Sequence, residues 1–99
     1  AKLVANMLEK AGIHRVITVD LHAGQIQGFF DVPVDHLTAL DILGGYLKKT
    51  DLSQSVVVSP DVGRATEGRR LANTLGVDLA ILYKRRRSST ETAVSHVIG

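Results

Sequence analysis

An α/β fold, a parallel sheet flanked by helices, is predicted for these 99 residues by three observations. Short apolar runs rich in Val and Ile recur along the chain. Segments with helical spacing separate them. Each run ends in a cluster of Gly, Pro, Asp or basic residues. Nearly continuous apolar strands, with helices between them, imply a parallel sheet covered on both faces.

Val4, Met7, Leu8 and Ala11 sit at helical spacing and Gly12 follows, so residues 2–11 are predicted to be a helix with a glycine stop. Arg15-Val16-Ile17-Thr18-Val19 is β-branched and compact, which predicts a buried strand ending near Asp20. Residues 21–36 hold two Gly and one Pro without a clean period. They are expected to form a long loop, and such loops in compact domains are usually functional. Thr38 and Asp41 resemble a capping box. Ala39, Ile42, Leu43 and Tyr46 share one helical face, and Lys48 and Lys49 suit the negative helix end. Gly44-Gly45 within this helix costs about 1 kcal/mol per glycine relative to Ala. Val56-Val57-Val58 is a second strand stopped by Ser59-Pro60. Residues 66–75 are a third helix ended by Gly76, Leu79-Ala80-Ile81-Leu82 is a third strand, and a fourth opens at Ala93-Val94.

Composition narrows the classes. A chain of 99 residues is one domain or part of one, and its 44% hydrophobic content suits a folded globular chain. Aromatics are 4%, so the core is expected to be aliphatic. There is no cysteine, which excludes disulfide frameworks and thiolate metal sites and fits a cytoplasmic location. No apolar run approaches the roughly 18 residues of a membrane span, so no membrane partner is expected. Both ends read as cut from something longer: the chain starts at Ala1 inside a helical pattern and stops after Val97-Ile98.

Ligands of open α/β sheets bind beyond the carboxyl ends of the strands. The first strand delivers Asp20-Leu21-His22, the second Ser59-Pro60-Asp61-Val62-Gly63, and the third Tyr83-Lys84-Arg85-Arg86-Arg87. His22 is able to bind a metal, hydrogen-bond a phosphate or move a proton, or simply to bond its own loop. Asp61 is able to hold a hard cation such as Mg²⁺ or to cap a helix. The block Lys84-Arg85-Arg86-Arg87 suits a phosphate-rich ligand, with a solvated basic turn as the alternative. Together these residues indicate a phosphate-handling α/β domain, with the basic segment closing over the ligand as a lid.

The stretch Val19-Asp20-Leu21-His22-Ala23-Gly24-Gln25-Ile26-Gln27-Gly28-Phe29-Phe30-Asp31-Val32-Pro33-Val34-Asp35 resembles the signature of the PRPP synthetases, the ribose-phosphate pyrophosphokinases. The resemblance continues in Ala1-Lys2-Leu3-Val4-Ala5-Asn6-Met7-Leu8, in Val56-Val57-Val58-Ser59-Pro60-Asp61-Val62-Gly63 and in Lys84-Arg85-Arg86. It implies a middle fragment of such a protein, running from the end of an N-terminal domain into the start of a C-terminal one. It also implies a type I phosphoribosyltransferase-like fold. The activity implied is transfer of pyrophosphate from ATP to ribose 5-phosphate, giving PRPP and AMP, with Mg²⁺ as cofactor. Homo-oligomers, hexamers in the family, are implied as the assembly.

Residue by residue, the resemblance puts His22 at the ATP and metal site and Asp61 in contact with the cation and the ribose. It makes Lys84 and Arg86 catalytic, in a mobile loop, and places Gln27 and Asp35 near an allosteric phosphate or ADP site. The sequence departs from the family at Gly24, His36 and Arg64, where Ser, Asn and Gly are common, and across residues 64–70 and 87–90. None of these positions is His22, Asp61, Lys84 or Arg86. An upstream Arg-Gln-Asp segment and a downstream acidic, glycine-rich motif of the family are not in these residues, so the isolated chain is expected to have no useful turnover. The alternative is a fragment of a non-catalytic PRPP synthetase-associated subunit. A nucleic-acid module built on the basic block is disfavoured, because no stacking aromatics accompany that block.

Overall fold

The computed structural model describes residues 1–86 and 92–99. The chain forms two compact units, Ala1–Ala39 and Leu40–Gly99.

The first unit holds helix α1 (Lys2–Lys10), strand β1 (Val16–Val19), a 3-10 helix (Gly24–Phe29) and strand β2 (Val34–Leu37). Gly12 takes φ +101° just after α1, a conformation that glycine reaches without a Cβ clash. The polar residues of α1 tie down the segment ahead of β2. Lys2 Nζ donates to the Phe29 carbonyl at 2.8 Å, and Glu9 Oε1 accepts from the Asp31 and Val32 N–H groups at 2.6 and 3.3 Å. β1 and β2 run parallel, with Val16 beside Val34 and Val19 beside Leu37.

The loop expected over residues 21–36 is therefore a crossover connection that contains the 3-10 helix and most of β2. β2 escaped the pattern because its four residues, Val34-Asp35-His36-Leu37, carry a polar pair in the middle. Pairing with β1 supplies the backbone hydrogen bonds that local propensity does not call for.

In the second unit, helix α2 (Leu40–Leu47) precedes strand β3 (Val56–Ser59), a 3-10 turn (Val62–Arg64), helix α3 (Ala65–Leu75) and strands β4 (Asp78–Arg86) and β5 (Thr92–Ile98). The sheet order is β3-β4-β5. β3 and β4 are parallel, whereas β5 joins antiparallel. The ladder is irregular between Tyr83 and Lys84: His96 faces Tyr83 and Val94 faces Lys84, which makes Ser95 the extra residue of a bulge. β4 is longer than its apolar run because β5 supplies hydrogen-bond partners as far as Arg86. Lys84 and Arg86 accordingly lie on a strand rather than in a loop.

α3 packs on β3 and β4, and α2 packs on α3. Two glycines permit these approaches. A Cβ on Gly68 would lie 3.1 Å from Leu79 Cδ1 and 3.3 Å from Ser59 Cβ; one on Gly44 would lie 3.1 Å from Thr74 Cγ2. Gly76 closes α3 in the left-handed conformation, its N–H bonding the Ala72 carbonyl, as the sequence predicts.

Among the described residues the buried apolar side chains are Ala5, Ala72 and Ala80. The larger aliphatics expected to make the core are only partly covered. Along β1 and β3 burial alternates, leaving Ile17, Val19, Val56 and Val58 exposed opposite the covered positions. The expectation of a sheet covered on both faces is thus met on one face only. No helix among the described residues is long and apolar enough to cross a membrane.

Candidate active site

At the C-terminal end of β1 the backbone makes an unusual turn. Asp20 has φ +55°, a left-handed conformation uncommon outside glycine. Its N–H donates to the Leu37 carbonyl, and its carboxylate accepts from Thr38 Oγ1 at 2.7 Å and the Ala39 N–H at 3.2 Å. These bonds hold the turn and tie together the ends of the two parallel strands. His22 follows two residues later. Its side chain is exposed and has no hydrogen-bond partner among the described residues. The alternative in which His22 merely bonds its own loop thus has no support there.

Gln27 and Asp35 lie in the same unit. Gln27 Nε2 donates to the Gly24 carbonyl at 3.0 Å and sits 3.3 Å from His36 Nδ1, next in sequence to Asp35. Asp35 receives a two-pronged contact from Arg15, Nε to Oδ2 at 2.6 Å and Nη2 to Oδ1 at 3.1 Å. This hydrogen-bonded ion pair holds the Asp35 carboxyl below its ordinary pKa and the Arg15 guanidinium above its own.

In the second unit, Asp61 and Lys84 come together. Asp61 follows the end of β3 in an extended conformation and caps the 3-10 turn, Oδ1 accepting from the Arg64 N–H at 3.0 Å. Its other oxygen, Oδ2, lies 3.8 Å from Lys84 Nζ, with both side chains about two-fifths exposed. The parallel register, Ser59 beside Ile81, carries Lys84 past the tip of β3 and sets it over Asp61. The Arg86 backbone pairs with Thr92 at the end of β4. The Arg86 side chain and residues 87–91, where the basic run and the lid were expected to continue, lie outside the described residues.

The chemistry of Asp61 fits Mg²⁺. Among the described residues no three carboxylates, imidazoles or thiols cluster as a closed cage. Mg²⁺ rarely uses such a cage; it takes one or two carboxylates and completes its shell with water and substrate phosphates. A half-exposed carboxylate beside an ammonium, at a strand tip, suits that mode.

No protein-family profile matches the chain. Individual relatives do, over all 99 residues: the ribose-phosphate pyrophosphokinases of Ralstonia nicotianae at 56% identity, Bacillus caldolyticus at 54% and Helicobacter pylori at 50%. The whole of this chain matches part of the ribose-phosphate pyrophosphokinases. It spans 31% of the length of each of these three relatives. The crystal structure of phosphoribosylpyrophosphate synthetase from Mycobacterium smegmatis superposes with a TM-score of 0.80 at 44% identity, covering 99% of this chain and 31% of that one. The α/β class and the likeness to PRPP synthetases expected from the sequence both stand.

Three residues at these sites carry no weight in the sequence alone: Arg15, Asp20 as a backbone device, and Ser59. Arg15 and Asp35 are twenty residues apart, and no pattern pairs them before the parallel register is known. Ser59 reads only as the end of a strand.

Proposed function

We propose that this chain is a segment of a ribose-phosphate diphosphokinase, a pyrophosphotransferase that joins ATP and ribose 5-phosphate to give PRPP and AMP. The observation that carries the reading is the 48–56% identity over the whole chain to enzymes of that name. The contact between Asp61 and Lys84 supports it: a carboxylate able to hold a cation and an ammonium able to bond phosphate oxygens, side by side at sheet tips.

The roles follow from the chemistry. The 1-hydroxyl oxygen of ribose 5-phosphate attacks the β-phosphorus of ATP, the bond to the α-phosphate oxygen breaks, and AMP leaves. Negative charge builds on the oxygens around the β-phosphorus. Lys84 and Arg86 offset it, the guanidinium being able to bond two oxygens at once. Mg²⁺, when bound, withdraws charge from the phosphates as a Lewis acid. Asp61 holds that cation and orients the ribose hydroxyls. His22, exposed and unpartnered, donates to the nucleotide phosphates, where an imidazole is better matched than to a cation that prefers oxygen ligands. Gln27 and Asp35 serve the effector site, and their present bonds to His36 and Arg15 are what an effector would rearrange. The two units are the end of one domain and the start of the next, and the intact protein is a cytoplasmic homo-oligomer.

The test is turnover of ATP and ribose 5-phosphate with Mg²⁺ by the intact protein that carries this segment. Lys84→Ala is expected to lower kcat by roughly 10²–10³-fold, the usual effect of removing one preorganised transition-state donor. His22→Ala is expected to weaken ATP binding. No turnover in the parent would point instead to a silent associated subunit. The 99 residues alone are expected to show no PRPP formation, and detectable formation would overturn the fragment reading.

A further inference from the structure

Ser59 is the one buried polar side chain among the described residues, at 1% exposure. It closes β3, and α3 lies directly on it at Gly68, where even a Cβ would come within 3.3 Å of Ser59 Cβ. Water therefore has no access to the hydroxyl, and its hydrogen bond must be made inside the protein. Ser59 Oγ donates to the Asp61 carbonyl at 2.8 Å, spanning Pro60.

That bond has a consequence for the Asp61 side chain. The Arg64 N–H lies 3.3 Å from the Asp61 carbonyl and 3.0 Å from Asp61 Oδ1, so carbonyl and carboxylate compete for one donor. The Ser59 hydroxyl gives the carbonyl a bond of its own at 2.8 Å, and the shared Arg64 N–H makes its shorter contact with the carboxylate. Oδ1 is thereby anchored and Oδ2 is turned toward Lys84. Pro60 has no N–H and a fixed φ, so it supplies no donor of its own between strand and carboxylate.

We propose that Ser59 is the positioning residue for Asp61: a hydroxyl locked under α3 that sets where the carboxylate meets its ligand. This rests on the reading of Asp61 as the residue that meets the cation and the ribose. Ser59 itself touches no substrate.

The test uses the intact protein, with KM and kcat for ribose 5-phosphate and calorimetric binding of ribose 5-phosphate in the presence of Mg²⁺. Ser59→Ala is expected to raise KM and Kd roughly tenfold, as loss of one buried hydrogen bond allows, and to change kcat less. Gly76→Ala, at the opposite end of α3, is the control for stability. It lowers Tm through a left-handed alanine and is expected to leave KM unchanged. If Ser59→Ala and Gly76→Ala, compared at equal loss of Tm, shift KM equally, Ser59 acts through stability alone and the proposal fails. If Ser59→Ala does not fold, Ser59→Cys, of similar size with a weaker donor, is expected to raise KM by a smaller factor; a folded Ser59→Cys with the parent KM overturns the proposal. Asp61→Asn separates the two levels. If it leaves binding and turnover intact, the reading of Asp61 itself is wrong and the role of Ser59 falls with it.

Discussion

Asp35 and Arg15 show how two exposed side chains report on the pairing of strands. The guanidinium meets the carboxylate only when β1 and β2 lie in their parallel register. The hydrogen bond from Arg15 lowers the Asp35 pKa. A lowered carboxyl pKa contributes stability that is present above the unfolded value, near 4, and is lost as pH falls through the lowered one. Asp35→Asn is therefore expected to destabilise the protein at pH 7 and to lose that effect as pH falls through and below the ordinary carboxylate range. Urea midpoints of the two proteins across that range check it. Because the pair is exposed, 1 M salt is expected to shrink the difference at pH 7 as well.

At the scale of elements, the approach of α3 to the sheet is the determining contact of the second unit. Gly68 is placed where a methyl group would press on Ser59 Cβ and Leu79 Cδ1. The tip of Leu79 is able to move, but Ser59 Cβ is fixed to the strand. Gly68→Ala gains up to about 1 kcal/mol of helix propensity and loses roughly 1–3 kcal/mol to overpacking. Net destabilisation is expected, measurable as a lower Tm. Gly44 makes a similar approach, 3.1 Å to Cγ2 of the β-branched and therefore stiff Thr74 and 3.4 Å to Leu71 Cδ1, so Gly44→Ala is expected to destabilise as well. The antiparallel partner β5 matters in another way. By extending β4 to Arg86 it puts Lys84 on a ladder, where backbone bonds hold it near Asp61.

At the scale of the whole molecule, the apolar surface stands out. α1 exposes Leu3, Val4, Met7 and Leu8 along one face, Leu3 at 72%; α2 exposes Ile42 at 78% together with Leu43 and Tyr46; β1 and β3 expose alternate residues. Contiguous apolar faces of this kind mark surfaces that are covered in the working protein. The isolated 99-residue chain is expected to bind the dye ANS and to associate with itself. Leu3→Lys together with Met7→Lys is expected to reduce both, read by fluorescence and by sedimentation. The same faces, in a protein about three times this length, are expected to be protected from the dye.

The sequence by itself determined the α/β class, three helices, four of the strands and the glycine stop at Gly76, because each of these is written in local periodicity and backbone preference. It also singled out candidate residues for a site, the stretch around His22 and the tips at Asp61 and Lys84, by their place at strand ends and by likeness to PRPP synthetases. Only the tertiary structure decided that Asp61 and Lys84 touch, that Arg15 clamps Asp35, that β2 exists and that Ser59 holds the Asp61 carbonyl. Each of those depends on strand register or on a helix closing over a strand. Such contacts join residues whose neighbours in sequence say nothing about one another, and a pattern read along one chain has no access to them.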